Sequence, residues 1–135
     1  MTGKYGVKVS SVMNKDPVTI DVRGTLKETA DIMMDRGVGS ILVMDRNVLK
    51  GIMTERDMVR ELGQRCRDPK TTEVGKVMTT NLFTVNPDLD IREAASQMLQ
   101  RDIRRLPVID AKGSMIGIIT ERDILRATHG SSMFW

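Results

Sequence analysis

Two identical tetrapeptides carry the strongest chemical signal in the chain. Thr54-Glu55-Arg56-Asp57 and Thr120-Glu121-Arg122-Asp123 each follow a short apolar run opened by glycine, Gly51-Ile-Met and Gly117-Ile-Ile. A hydroxyl and a carboxylate three residues apart at a helix start can do two things. The threonine accepts from the backbone N–H three residues on while the aspartate caps back or complements the helix dipole, which is reason enough for the pair in any helix. If that helix start also ends a central strand, its loose N–H groups make an anion site, where the hydroxyl can meet a phosphate oxygen. The carboxylate can then accept from the vicinal hydroxyls of a ribose. The two readings are compatible, and the residues alone leave both open.

Other candidates are fewer. Arg104 and Arg105 precede the apolar run Leu106-Pro-Val where the first motif set has Gly39-Ser40; they read either as a solvated pair or as fixed guanidinium contacts to phosphate. Gly37-Val-Gly-Ser40 looks like a phosphate loop, but it follows a helical pattern and precedes a strand, so it reads as a C-cap and turn. His129 stands alone near the end and reads as an exposed tail residue, with no partner set for a metal or a triad. Cys66 excludes an internal disulfide and reads as an ordinary loop thiol. No catalytic constellation emerges, and the expectation is a non-enzyme.

The elements that must position these residues come from a duplication. With 135 residues, 40% hydrophobic and 29% charged, the chain reads as globular, and a half of this size buries too little surface to stand alone. A net charge of +3 with interleaved signs suits small anions better than a polyanion, and 3% aromatics leave little to stack single-stranded nucleic acid. No apolar run reaches membrane-spanning length and the N-terminus lacks a signal-peptide core, so the expected location is the cytoplasm, with no membrane partner. Aligning Val12-Met13 with Val77-Met78 gives an offset of 65, which becomes 66 after one inserted residue near Gly113. Each half predicts β-α-β-β-α: a short strand at 17–20 or 82–85, a helix from about 26 to 36 or its counterpart after Asp90, a hairpin, and a final helix opening at Thr54 or Thr120. The repeats are expected at 8–64 and 73–129, with a polar connector over 63–73 and a flexible tail over 130–135. The methionines fall mostly on apolar helix faces. Pairs such as Met33-Met34, Met58-Val59, Met98-Leu99 and Ile124-Leu125 offer more apolar surface than the module covers, which predicts a homodimer.

The doubled pattern, the Val-Met doublets, Gly39-Ser-Ile-Leu-Val-Met44, Arg104-Arg-Leu-Pro-Val-Ile-Asp110 and above all the two Gly-Ile-x-Thr-Glu-Arg-Asp segments resemble a tandem pair of cystathionine β-synthase (CBS) domains, a Bateman module. The resemblance implies an α+β fold of two CBS repeats related by a pseudo-two-fold, small sheets packed with helices, and nucleotide clefts between the halves. It implies a stand-alone regulatory module without a catalytic cofactor. The module would bind AMP, ADP, ATP or a related adenosyl compound and pass its state to an unidentified effector protein. Thr54 and Thr120 would meet phosphate and Asp57 and Asp123 ribose, with Arg56, Arg122, Arg104 and Arg105 beside them. Val18, Thr19, Phe83 and Thr84, with the strand starts at Ile41 and Leu106, would hold the base. Arg105 crossing to the ligand of Thr54 and Asp57 would make that site the stronger of two unequal ones. The alternative function is nucleic-acid association through Arg60, Arg65 and Arg67.

Overall fold

The computed structural model describes residues 6–132. In chain order its main elements are α1 (Val9–Val12), β1 (Thr19–Asp21), α2 (Leu26–Arg36), β2 (Ser40–Asp45), β3 (Val48–Thr54), α3 (Glu55–Met58), α4 (Ile91–Arg101), β4 (Arg105–Ile109), β5 (Met115–Thr120) and α5 (Glu121–Ser132). A π-helical turn, Val59–Gln64, prolongs α3, and a 3-10 turn covers Val74–Lys76.

Two compact units divide the chain, and they are not its contiguous halves. One spans residues 17–82; among the described residues the other joins 6–16 to 83–132. The segment that leads into each repeat therefore packs in the unit built mainly from the other repeat. Each leading segment docks on a glycine of the doubled motif. A Cβ on Gly51 would lie 2.5 Å from Met78 Sδ and 2.8 Å from the Thr79 carbonyl oxygen, and one on Gly117 would lie 2.8 Å from Met13 Sδ and from the Asn14 carbonyl oxygen. Paired backbone bonds fix these approaches, Thr79 with Ile52 at 3.0 Å both ways and Asn14 with Ile118 at 2.9 and 3.0 Å. The recurrence of Val-Met and of glycine 65 or 66 residues apart is thus one packing device used twice.

In the 17–82 unit, β1 pairs parallel to β2 and β2 antiparallel to β3. Arg46 and Asn47, both at positive φ, close the β2–β3 hairpin, as a tight two-residue turn requires. Thr25 and Glu28 form a reciprocal capping box on α2, and Gly37 ends that helix in the left-handed conformation. Leu26 and Met33 then bury against Ile41, Val43, Met53, Met58 and Val74. The other unit repeats the scheme with Ile91, Ala94 and Met98 packed on Leu106, Val108, Ile119 and Ile124. Here Asp90 caps α4 by accepting from Arg92 N at 2.8 Å, without a reciprocal bond from Glu93.

Two expectations need correction. The strand expected at 82–85 is only an isolated parallel bridge between Val85 and Val108. In the first repeat Leu42 N donates to Val18 O at 3.1 Å; its counterpart is Pro107, which has no N–H, so the equivalent ladder bond cannot form. The tail expected over 130–135 is helical through Ser132, because Ile124 and Ala127 anchor α5 on the core and no proline follows to stop it; residues 133–135 lie outside the described residues. Among the described residues no helix is long and apolar enough to cross a membrane.

Candidate functional site

Each Thr-Glu-Arg-Asp segment lies where a strand hands over to a helix. Thr54, still extended at φ −111°, is the last residue of β3 and the N-cap of α3. Its hydroxyl accepts from Asp57 N at 3.2 Å, and Asp57 Oδ2 accepts from Thr54 N at 2.9 Å and from the Thr54 hydroxyl at 3.0 Å. The same box forms at the start of α5, with Thr120 N to Asp123 Oδ2 at 2.9 Å and Asp123 N to the Thr120 hydroxyl at 3.1 Å. The capping reading therefore holds in full. It also narrows the anion site, because the first helical N–H in each case is taken by the preceding turn, Glu55 N by Gly39 O at 3.0 Å and Glu121 N by Arg104 O at 2.8 Å. Of the first three N–H groups, only those of Arg56 and Arg122 are left for an anion, so phosphate contact would have to come mainly from side chains.

The second carboxylate oxygen separates the two motifs. Asp57 Oδ1 receives Arg60 at 3.0 Å and the Thr79 hydroxyl at 3.4 Å, and the residue is 6% exposed. At Asp123 the equivalent Arg126 stands 3.8 Å from Oδ1, beyond hydrogen-bond reach, and Asn14, the counterpart of Thr79, turns its side-chain oxygen to Asp16 N instead.

Arg60 is held by a residue that sequence reasoning missed. Glu61 is completely buried and accepts from Arg60 at 2.8 Å, Arg65 at 3.1 Å and Arg67 at 2.8 Å. Burial by itself pushes its carboxyl up, but the hydrogen bonds from Arg60 and Arg67 and the charges of Arg65 and Arg60 outweigh it, holding the group below its ordinary value of 4.5. The Arg60 guanidinium is pushed up in turn, first by Glu61 and then by Asp57. The signal for this hub was present: Glu61 sits three residues after Met58 on the apolar helix face, where an acid is costly unless paired. The three arginines offered as a free basic surface for nucleic acid are thus committed to an internal carboxylate.

The remaining candidate residues divide by position. Val18 and Phe83 are half-buried and Thr19 and Thr84 exposed, so all four can meet a ligand. One face of the Phe83 ring is already covered by the Arg101 guanidinium at 3.9 Å. Ile41 and Leu106 are buried in the cores, which leaves only their backbone for a ligand. Arg56 and Arg122 are exposed, and Arg105 is half-buried. Arg104 lines a groove of about 330 Å³ beside α4 and α5 with Leu99, Leu125 and Glu121, and neither Thr120 nor Asp123 lines that groove. His129 is exposed, and no cluster of three or more metal-ligating side chains occurs among the described residues.

Comparison with known proteins gives the same picture. The CBS domain model matches twice, over residues 9–64 and 74–130. The chain is 34% identical over 116 residues to the CBS domain-containing protein YhcV of Bacillus subtilis, covering 86% of this chain and 81% of YhcV. It is 34% identical over 121 residues to protein MK0525 of Methanopyrus kandleri, covering 89% of this chain but only 62% of that relative. The crystal structure of the CBS domain pair of protein MJ0100, in complex with 5′-methylthioadenosine and S-adenosyl-L-methionine, superposes with a TM-score of 0.81 at 26% identity, covering 93% of this chain and 98% of that one. The chain therefore belongs to the CBS domain family, as a tandem pair of its repeats.

Proposed function

We propose that this CBS pair is a non-catalytic sensor of adenosine-containing compounds, AMP, ADP, ATP or an adenosyl thioether or sulfonium, and that it passes its ligand state to a partner protein. The observation that carries the reading is the open carboxylate edge of Asp123. It stands beside the Thr120 hydroxyl at the start of a twelve-residue helix, with Oδ1 held only by a loose, exposed ion pair to Arg126 at 3.8 Å, too long for a hydrogen bond. A carboxylate edge of this kind suits the two vicinal hydroxyls of a ribose. The ligands of the MJ0100 pair support the class, since 5′-methylthioadenosine and S-adenosylmethionine share a ribose and adenine with AMP but carry no phosphate. Ribose recognition is the common denominator, in keeping with helix N-termini whose N–H groups are largely taken.

Homodimerisation belongs to the same proposal. In each of four adjacent apolar pairs, the first member is buried and the second is exposed: Met33 and Met34, Met58 and Val59, Met98 and Leu99, Ile124 and Leu125. Met34 and Leu99, at 82% and 83% exposed, are the side chains that a second copy would cover. A thermal-shift screen followed by calorimetry over AMP, ADP, ATP, NAD, 5′-methylthioadenosine, S-adenosylmethionine and free adenine tests the ligand class. Stabilisation by several adenosyl compounds but not by ribose-free adenine is the expected result. No shift with any of them refutes the reading.

A further inference from the structure

The two copies of Thr-Glu-Arg-Asp are identical in sequence, yet their carboxylates have different hydrogen-bond partners, and the difference traces to residues outside the motif. Both repeats place an arginine three residues after the aspartate, Arg60 and Arg126. Arg60 hydrogen-bonds its aspartate at 3.0 Å whereas Arg126 stays at 3.8 Å in a looser ion pair, and Arg60 is the more buried of the two, its side chain 33% exposed against 69% for Arg126. The next residue explains this. Glu61 grips the Arg60 Nε at 2.8 Å, leaving the other end of the guanidinium facing Asp57; at the same place the second repeat has Ala127, which can grip nothing. Glu61 is itself held by Arg65 and Arg67, which belong to the connector that follows the first repeat. Thr79 adds a further donor to Asp57 where the second repeat has Asn14 turned elsewhere.

We propose that the Asp57 end is a latent ligand site, closed by a latch running from connector residues Arg65 and Arg67 through Glu61 to Arg60, and that Asp123 alone is the open ribose acceptor. The inference rests on the reading of the two helix starts as ribose-binding ends, and its direction is opposite to the one expected from Arg104 and Arg105. A ribose can displace Arg60 from Asp57 only by turning a rigid guanidinium away from the buried Glu61 as well, so the first end fills only when Arg60 swings off Asp57. The polar linker between the repeats helps to hold Glu61 in place for that contact.

Calorimetry with AMP on the full chain tests the latch. The parent should bind one AMP per chain. Asp123→Ala should weaken binding about tenfold or more, the loss of one charge-assisted contact, whereas Asp57→Ala should leave it unchanged. Arg60→Ala removes the latch but leaves Glu61 paired with Arg65 and Arg67; it should bind two AMP per chain, and adding Asp57→Ala should return it to one. If Arg60→Ala does not fold, Arg60→Met keeps the aliphatic stem without the guanidinium and serves the same purpose, and the Asp57→Ala and Asp123→Ala pair decides which end is open without either. Two equal sites in the parent, loss of binding in Asp57→Ala alone, or a single site in folded Arg60→Ala overturns the latch while leaving the adenosyl reading intact. Failure of the parent, Arg60→Ala and Arg60→Met to bind any adenosyl compound overturns both.

Discussion

Replacing Glu61 by Gln should cost more stability than any exposed charge change in this chain. The carboxylate is fully buried and takes three guanidinium bonds of 2.8 to 3.1 Å, while the arginines keep 33%, 55% and 44% of their side chains exposed. Hydrogen bonds to a charged group are worth about 1.5 to 3 kcal/mol each in net terms, and breaking a buried pair costs about 3 to 5 kcal/mol. Because the guanidiniums can turn partly into water, the three bonds do not add in full, and about 2 to 4 kcal/mol is expected, or roughly 10 °C in Tm. Glutamine keeps the shape, but its amide group faces a guanidinium donor with another donor. The pH dependence has a definite sign. The Glu61 carboxyl titrates below its ordinary 4.5 in the folded chain, so its contribution is present above that value and is lost as pH falls through the lower folded value. Urea unfolding of parent and Glu61→Gln between pH 3 and pH 7 should therefore show curves well separated at neutral pH that draw together as pH falls below the ordinary carboxylate value of 4.5. A difference under about 0.5 kcal/mol at pH 7, or one that does not change with pH, would refute the ion hub.

Gly51→Ala and Gly117→Ala should each destabilise by about 1 to 3 kcal/mol in urea unfolding, because the new methyl meets the fixed backbone carbonyl of Thr79 or Asn14 at 2.8 Å; a neutral effect would mean the leading segments do not dock there. Thr25→Ala removes one half of the α2 capping box and should cost about 1 kcal/mol, read as a lower urea midpoint with an unchanged slope. Met34→Lys together with Leu99→Lys should leave the circular dichroism spectrum intact and shift the light-scattering mass towards the 15.1 kDa of one chain, and a parent already at that mass defeats the dimer.

Much of this protein was written locally. Thr25 with Glu28 and Thr54 with Asp57 predict their capping boxes because the bonds close within one helical turn, and Gly37 predicts its helix end because the left-handed conformation favours glycine. The duplication, the hairpins and the family follow from the same short-range patterns repeated at a fixed offset. What the chain does with Asp57 and Asp123 was not written there, since both stand in the same four letters. Their states depend on Glu61, on connector arginines four and six residues beyond it, and on Thr79, twenty-two residues from Asp57 and brought beside it by the docking of a leading segment on Gly51. The missing strand at 82–85 has the same character, for it needed the knowledge that Pro107 faces Thr84 across a parallel ladder. Local sequence sets which hydrogen bonds a turn can make with itself; which spare donors arrive at a carboxylate's remaining edge is decided by long-range packing, and only the tertiary structure decided that here.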